Sequence, residues 1–340
     1  MVKKSEKIRN QLLIALSFFT LTGVIVASVS VYFFRKIHDV HKVSASVHTL
    51  FQEYVKATKS EQEFIHLETS KSTFFASGKS NYLNEYNSHI AKAKREIDKL
   101  KSQQAYHDFK IGYDVDKLSN EISKYETFFD FTIEKVKHRG FKDFGTEGVM
   151  RKYVHDLESK SDLIGLANVL MLRRHEKDFL LRNDDAYVTK LQDKIESINN
   201  RIWRNKKLSN IQKDNLIMLL TNYRHSFLDL VKVIKEIGFK DEQGLSGQLL
   251  NSKEIIDNQF IVIHSSIVKN EELMVDNLEK GFLIIIVNII AITMFIIFMY
   301  TKKLRKQSFN FASQGMSTHD SSPRVEDLIF SRRTNIAQEA

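Results

Sequence analysis

DNLIMLLTNYRHSFLDLVKVIKEIGFKDEQGLSGQLL, residues 214–250, decides the fold class. Leu216, Leu219, Leu220, Tyr223, Phe227, Leu230, Val231 and Ile234 recur at three- and four-residue steps, the period of one buried helix face. The run stops at Gly238, and glycine tolerates the positive backbone angles at which helices commonly end. Strand-like alternation is absent over any useful length, so the chain reads as all-α.

The same unit occurs upstream as DKLSNEISKYETFFDFTIEKVKHRGFKDFGTEGVMR, residues 116–151. Leu118 matches Leu216, Tyr125 matches Tyr223, Phe129 matches Phe227, and Gly140-Phe141-Lys142-Asp143 matches Gly238-Phe239-Lys240-Asp241. After a one-residue insertion, Gly145 and Gly148 match Gly244 and Gly247. A weaker echo precedes each copy, where Glu61, Glu63 and Phe64 resemble Glu176, Asp178 and Phe179. A duplicated helical unit explains both matches. Its glycines are expected where a helix ends and the chain reverses; their spacing fits no phosphate-binding loop, and no strand precedes them.

The only proline is Pro323, so the strongest helix breaker is missing from the whole middle of the chain. Gly, Asn, Asp and Ser divide that middle into helices at about 35–77, 79–104, 110–137, 146–182, 184–206, 209–236 and 246–281. Seven strictly antiparallel helices would end on the wrong side of a membrane, so one assumed reversal is wrong. Ser159-Lys160-Ser161-Asp162 carries helix-start residues and marks an interruption, either a bend or a reversal.

Two uncharged apolar runs flank this middle: LLIALSFFTLTGVIVASVSVYFF, residues 12–34, and FLIIIVNIIAITMFIIFMY, residues 282–300. Each has about the 20 residues that a 30 Å hydrocarbon core requires. Lys3, Lys4, Lys7 and Arg9 precede the first, and Lys302, Lys303, Arg305 and Lys306 follow the second. By the positive-inside rule both termini are cytoplasmic. The chain then divides into a basic N-terminus (1–11), a first span (12–34), an exported segment (35–281), a second span (282–300) and a mostly disordered cytoplasmic tail (301–340). The first apolar run is longer than a signal-peptide core and continues into Tyr32, Phe33 and Phe34, which favours an uncleaved anchor. The chain has no cysteine, which excludes disulfides and thiolate metal sites. The net charge of +9 lies largely in the membrane-flanking clusters, so nucleic-acid binding is not expected.

GFKDFGTEGVMRKYVHDLE from Gly140 and LRRHEKDFLLRNDDAYV from Leu172 resemble the helical bimodular sensor domain of bacterial chemoreceptors and sensor histidine kinases. The resemblance implies a periplasmic domain of two stacked helical bundles, two four-helix modules, anchored in the bacterial inner membrane. It also implies a homodimer that senses a small organic acid or a periplasmic binding protein. Family members continue into a signalling helix, kinase or cyclase, whereas about 40 residues follow the second span here. Output is therefore expected through a separate cytoplasmic partner. The alternative reading is a truncated or split sensor that acts as a membrane-anchored binding or adaptor protein.

For such an acid the candidate ligands are Arg173, Arg174, Arg182 and Arg151, because guanidinium groups match carboxylates with paired donors. Against this, Asp178 and Arg182 have the spacing of an ordinary surface pair on one helix. The 12 histidines include no HExxH and no i,i+4 pair, so neither a metal nor any other cofactor is expected. No nucleophile stands in register with a base, and the chain is not expected to be an enzyme. Gly23 and Ala27 form a small-xxx-small pair of the kind that brings membrane helices close.

Overall fold

The structure is a computed structural model that describes residues 2–238 and 243–317. Its helices are α1 (Val2–Glu63), α2 (Ser72–Ser77), α3 (Asn81–Lys101), α4 (Gly112–Arg139), α5 (Gly145–Glu158), α6 (Ser161–Ile164), α7 (Leu166–Arg182), α8 (Asp185–Arg204), α9 (Asn210–Ile237) and α10 (Gly244–Ser317). No strand occurs among the described residues. Local chemistry sets several boundaries. Ser209 and Gln212 form a reciprocal capping box at the start of α9, which satisfies two otherwise unpaired backbone donors. The Asp184 side chain accepts from Ala186 N before α8, and Asn183 closes α7 in the left-handed conformation.

Two expected helices are interrupted. Instead of running to residue 77, the first opens into a π-helical turn at Phe64–Glu68. This turn seats Phe64 against Phe74 and Phe129, and Arg139 Nη2 donates to the Thr69 carbonyl at 2.7 Å. The expected helix 146–182 is divided into α5, α6 and α7, with Gly165 at φ +94 before the last. At the other end α10 continues to Ser317, where disorder was expected, because residues 301–314 hold no proline or glycine. The rest of that expected tail, residues 318–340, lies outside the described residues, as do residues 239–242 of the second glycine loop.

The chain divides into two units. One comprises residues 2–37 with 275–317. Here the two apolar helices lie antiparallel, with Phe33 and Phe282 ring centroids 5.5 Å apart at one end. At the other end Tyr300 Oη donates to the Gln11 carbonyl at 3.4 Å. Both are long and apolar enough to cross a membrane. Leu16, Phe19 and Val24, and likewise Ile284, Val287 and Phe295, are each more than half exposed, far beyond what an aqueous surface accommodates. Gly23 has open space around it and so is not used in the contact between these two helices.

The other unit, His38–Met274, contains two helical groups. In the first, α1 runs parallel to α4, with Tyr54 beside Tyr125 and Phe64 beside Phe129. Antiparallel to α4 lie α3, through Tyr86–Phe129 and Lys101–Asp116, and α10, through Lys253 over Tyr125 and Gln259 to Asp114. In the second group α8 is antiparallel to α9, joined by Lys235–Asp185 and by Lys213 to the Trp203 carbonyl. There α7 runs parallel to α9, placing Glu176 at Tyr223 and Phe179 at Phe227. α5 starts near Glu236 and ends near Tyr223, antiparallel to α9. The chain therefore reverses between α5 and α7, which removes the parity problem posed by seven helices.

The glycine loops do not reverse the chain within one group. Each passes it from one group to the other, from α4 to α5 and from α9 to α10. Gly140, at φ +77 and ψ −170, would bring a Cβ to 1.9 Å from the Phe144 carbonyl oxygen, and Gly238 stands in the same relation to Gln243. Gly140→Ala is expected to destabilise the fold by about 2 kcal/mol, the scale of such strain. Gly78→Ala, at φ +68 with open space around it, should cost only about 1 kcal/mol. Equal losses in unfolding midpoint would refute the close packing assigned to the first loop.

Candidate functional site

Where α4, α5 and α9 meet, a cavity of about 1260 Å³ opens beside the first glycine loop. α5 buries Met150, Val154 and Leu157 in the core of the second group, which turns Arg151, Lys152 and His155 toward the cavity. α4 contributes Lys135 and His138 from its last two turns, and α9 contributes Asp229, Lys232 and Glu236. Some of these charges are already matched: Lys135 bonds Glu236 at 2.7 Å, and His155 bonds Glu158 at 2.8 Å. Lys135 beside Glu236 holds that carboxyl below its ordinary range, so the pair is fully charged at neutral pH.

Arg151 differs from its neighbours. Its Nε is enclosed by protein with no hydrogen-bond partner, and a buried unpaired donor is costly. The positive end of α5 also faces the cavity through Gly145 and Thr146, and a helix N-terminus favours negative charge. A small carboxylate entering here would find Arg151, Lys152 and Lys232 on the wall, alongside the carboxylates of Asp143, Asp156, Asp229 and Glu236.

The other three arginines proposed from sequence are not brought to this cavity. Arg173 is 19% exposed and donates through Nη1 to Glu176 at 2.9 Å, with Nε 3.3 Å from Glu158. Arg174 and Arg182, 72% and 64% exposed, both flank Asp178 on the helix surface at 3.8 and 3.7 Å. Those two distances allow little beyond a screened surface attraction. Only Arg151 of the four lines the cavity.

The residues aligned by the duplication become matching contacts. In the first group Tyr125 Oη donates to Glu61 Oε2 at 2.5 Å, and Lys253 Nζ reaches the same oxygen at 2.5 Å. In the second, Tyr223 Oη donates to Glu176 Oε2 at 2.8 Å, and Arg173 holds the other oxygen. Burial pushes both tyrosine hydroxyls up, so they remain protonated donors. Each group thus has a deeply buried carboxylate held by a tyrosine and a cation, although the cation comes from a different helix in each. The Glu61/Glu176 echo and the Tyr125/Tyr223 match were the sequence signals for this. Lys135, His138, Lys152 and Lys232 had none, because surface-type charges on helices carry no periodic signature.

Fold and site define a duplicated helical unit, joined in sequence to two apolar helices long enough to cross a membrane, with a charged cavity where its two halves meet. No family model matches the chain, and no curated protein matches it. Among the described residues no group of three His, Asp or Glu side chains has the geometry to hold a metal ion.

Proposed function

We propose that the chain is a membrane-bound sensory receptor in which a small organic acid binds the cavity between the two helical groups, with Arg151 as its carboxylate partner. The groups are then two stacked four-helix modules, as the sequence resemblance implies. The apolar helices cross a bacterial inner membrane, and the unit 38–274 lies on its periplasmic side. Binding would change the contact between α4, α5 and α9, and α10, which follows α9 in the chain, continues into the second apolar segment. The observation that carries this reading is the unpartnered Nε of Arg151 in a cavity of mixed charge, where Lys152 and Lys232 stand with it and Asp143, Asp156, Asp229 and Glu236 also line the wall.

The test is thermal unfolding of the full chain in lipid nanodiscs with acetate, succinate, malate and citrate. A ligand specific for the folded form adds about 2.7 kcal/mol of stability at a hundredfold excess over its dissociation constant. A shift is expected for at least one acid, with loss in Arg151→Gln and retention in Arg174→Gln. A cooperative transition that no acid moves, or a shift that Arg151→Gln leaves intact, overturns the assignment.

A further inference from the structure

A second pocket, of about 780 Å³, lies between α1 and α10 within the first group and has the opposite chemistry. Its walls are aromatic: Phe51 and Phe260 meet edge to face at 5.0 Å, and Tyr54 lies 5.5 Å from Phe260. Tyr54 is only 2% exposed, yet its hydroxyl has no hydrogen-bond partner. Asp257 lines the same pocket and forms no ion pair among the described residues. The nearest fixed cation, Lys253, is bound to Glu61 at 2.5 Å. Of the two histidines, His48 shares a 3.0 Å hydrogen bond with Gln52, and His264 stands exposed at the rim.

Three aromatic rings, one uncommitted carboxylate and one buried hydroxyl able to accept a hydrogen bond complement a positively charged, partly apolar molecule. Ring faces attract cations, and the Asp257 carboxylate, exposed at the edge of the pocket, is free to pair with an ammonium group. An organic acid would instead set its charge against Asp257. We propose that this pocket binds a small organic cation, an aryl- or alkylammonium, with its ammonium on Asp257 and its apolar body against Phe51 and Phe260. The site is independent of the junction cavity, and the protein would then read two ligands of opposite charge.

Titration calorimetry on the full chain in zwitterionic nanodiscs, with empty nanodiscs as the blank, tests this. The probes are phenethylamine, phenylacetate as the isosteric acid, and phenethyl alcohol as the neutral form. Saturable binding is expected for the amine alone, weakened at least about tenfold by Asp257→Asn, the scale of one lost charge-assisted contact, and unchanged by Arg151→Gln. Tyr54→Phe removes an unsatisfied hydroxyl while keeping the ring, so it should weaken the amine without lowering the unfolding midpoint. Absence of saturable amine binding, equal binding of phenylacetate, or an unchanged affinity in Asp257→Asn each overturns the proposal. Failure of the acid panel at Arg151 would leave these results standing.

Discussion

Replacing Arg173 with methionine is expected to lower the stability of the second helical group by about 3 kcal/mol at pH 7. Arg173 touches Glu176 at 2.9 Å, and Glu176 is 2% exposed in the core beside Tyr223. Removing one member of a buried ion pair leaves the other charge unmatched, a loss of roughly 3–5 kcal/mol. Protonation limits the loss. Neutralising a carboxyl of ordinary value 4.5 at pH 7 costs about 3.4 kcal/mol, so the loss saturates below that figure, because burial already raises the proton affinity of Glu176 with Arg173 in place. Glu158 is also released, but it is partly exposed and retains His155. Urea denaturation of the full chain in nanodiscs measures the effect, because Trp203, the only tryptophan, sits at the end of α8 in this group. Lys253→Met should act similarly through Glu61 in the first group, read by hydrogen exchange of α1 and α4 amides. A loss under about 1 kcal/mol for Arg173→Met would mean that solvent reaches Glu176.

Helix positions were largely legible because a buried helix face repeats its apolar residues at a fixed period, and the absence of proline before Pro323 allowed long runs. The duplication went further. Aligning Tyr125 with Tyr223, and Glu61 with Glu176, placed four residues that the fold joins as two matching hydrogen bonds. Chain direction was less legible. Gly140 and Gly238 stop helices by the expected backbone angles, but whether the next helix folds back or crosses to the other group depends on which core its apolar face fills. Met150, Val154 and Leu157 fill the core of the second group, a fact about packing rather than about the turn. The arginines could not be told apart for a related reason. Arg173 and Arg174 are adjacent in sequence and therefore about 100° apart on a helix, so one enters the core network and the other faces solvent. Sequence type alone could not separate them from Arg151, whose distinction is the lack of a partner.

Acidification is expected to stabilise the second group through Glu176, opposite to the usual behaviour of a carboxylate. Burial raises the affinity of Glu176 for a proton, outweighing the Arg173 guanidinium and the Tyr223 hydroxyl that pull the other way. Above pH 4.5 the unfolded chain therefore holds fewer protons at this residue than the folded one. Stability then falls as pH rises through the window between the unfolded and folded values, by up to about 1.4 kcal/mol per pH unit. Below the window both states are protonated, and the difference is flat. Glu176→Gln removes the titration while keeping the shape, and the amide can still accept the Tyr223 hydrogen bond. The stability of the wild type minus that of Glu176→Gln should thus decline from pH 4.5 upward, measured by Trp203 urea midpoints across pH 4.5–8. Arg173→Met should carry the decline to higher pH, since the remaining carboxyl has lost its cation. If the difference instead rose with pH, the guanidinium would dominate over burial, and the core of the second group would hold a fully formed ion pair rather than a carboxyl that keeps its proton longer than solvent would allow.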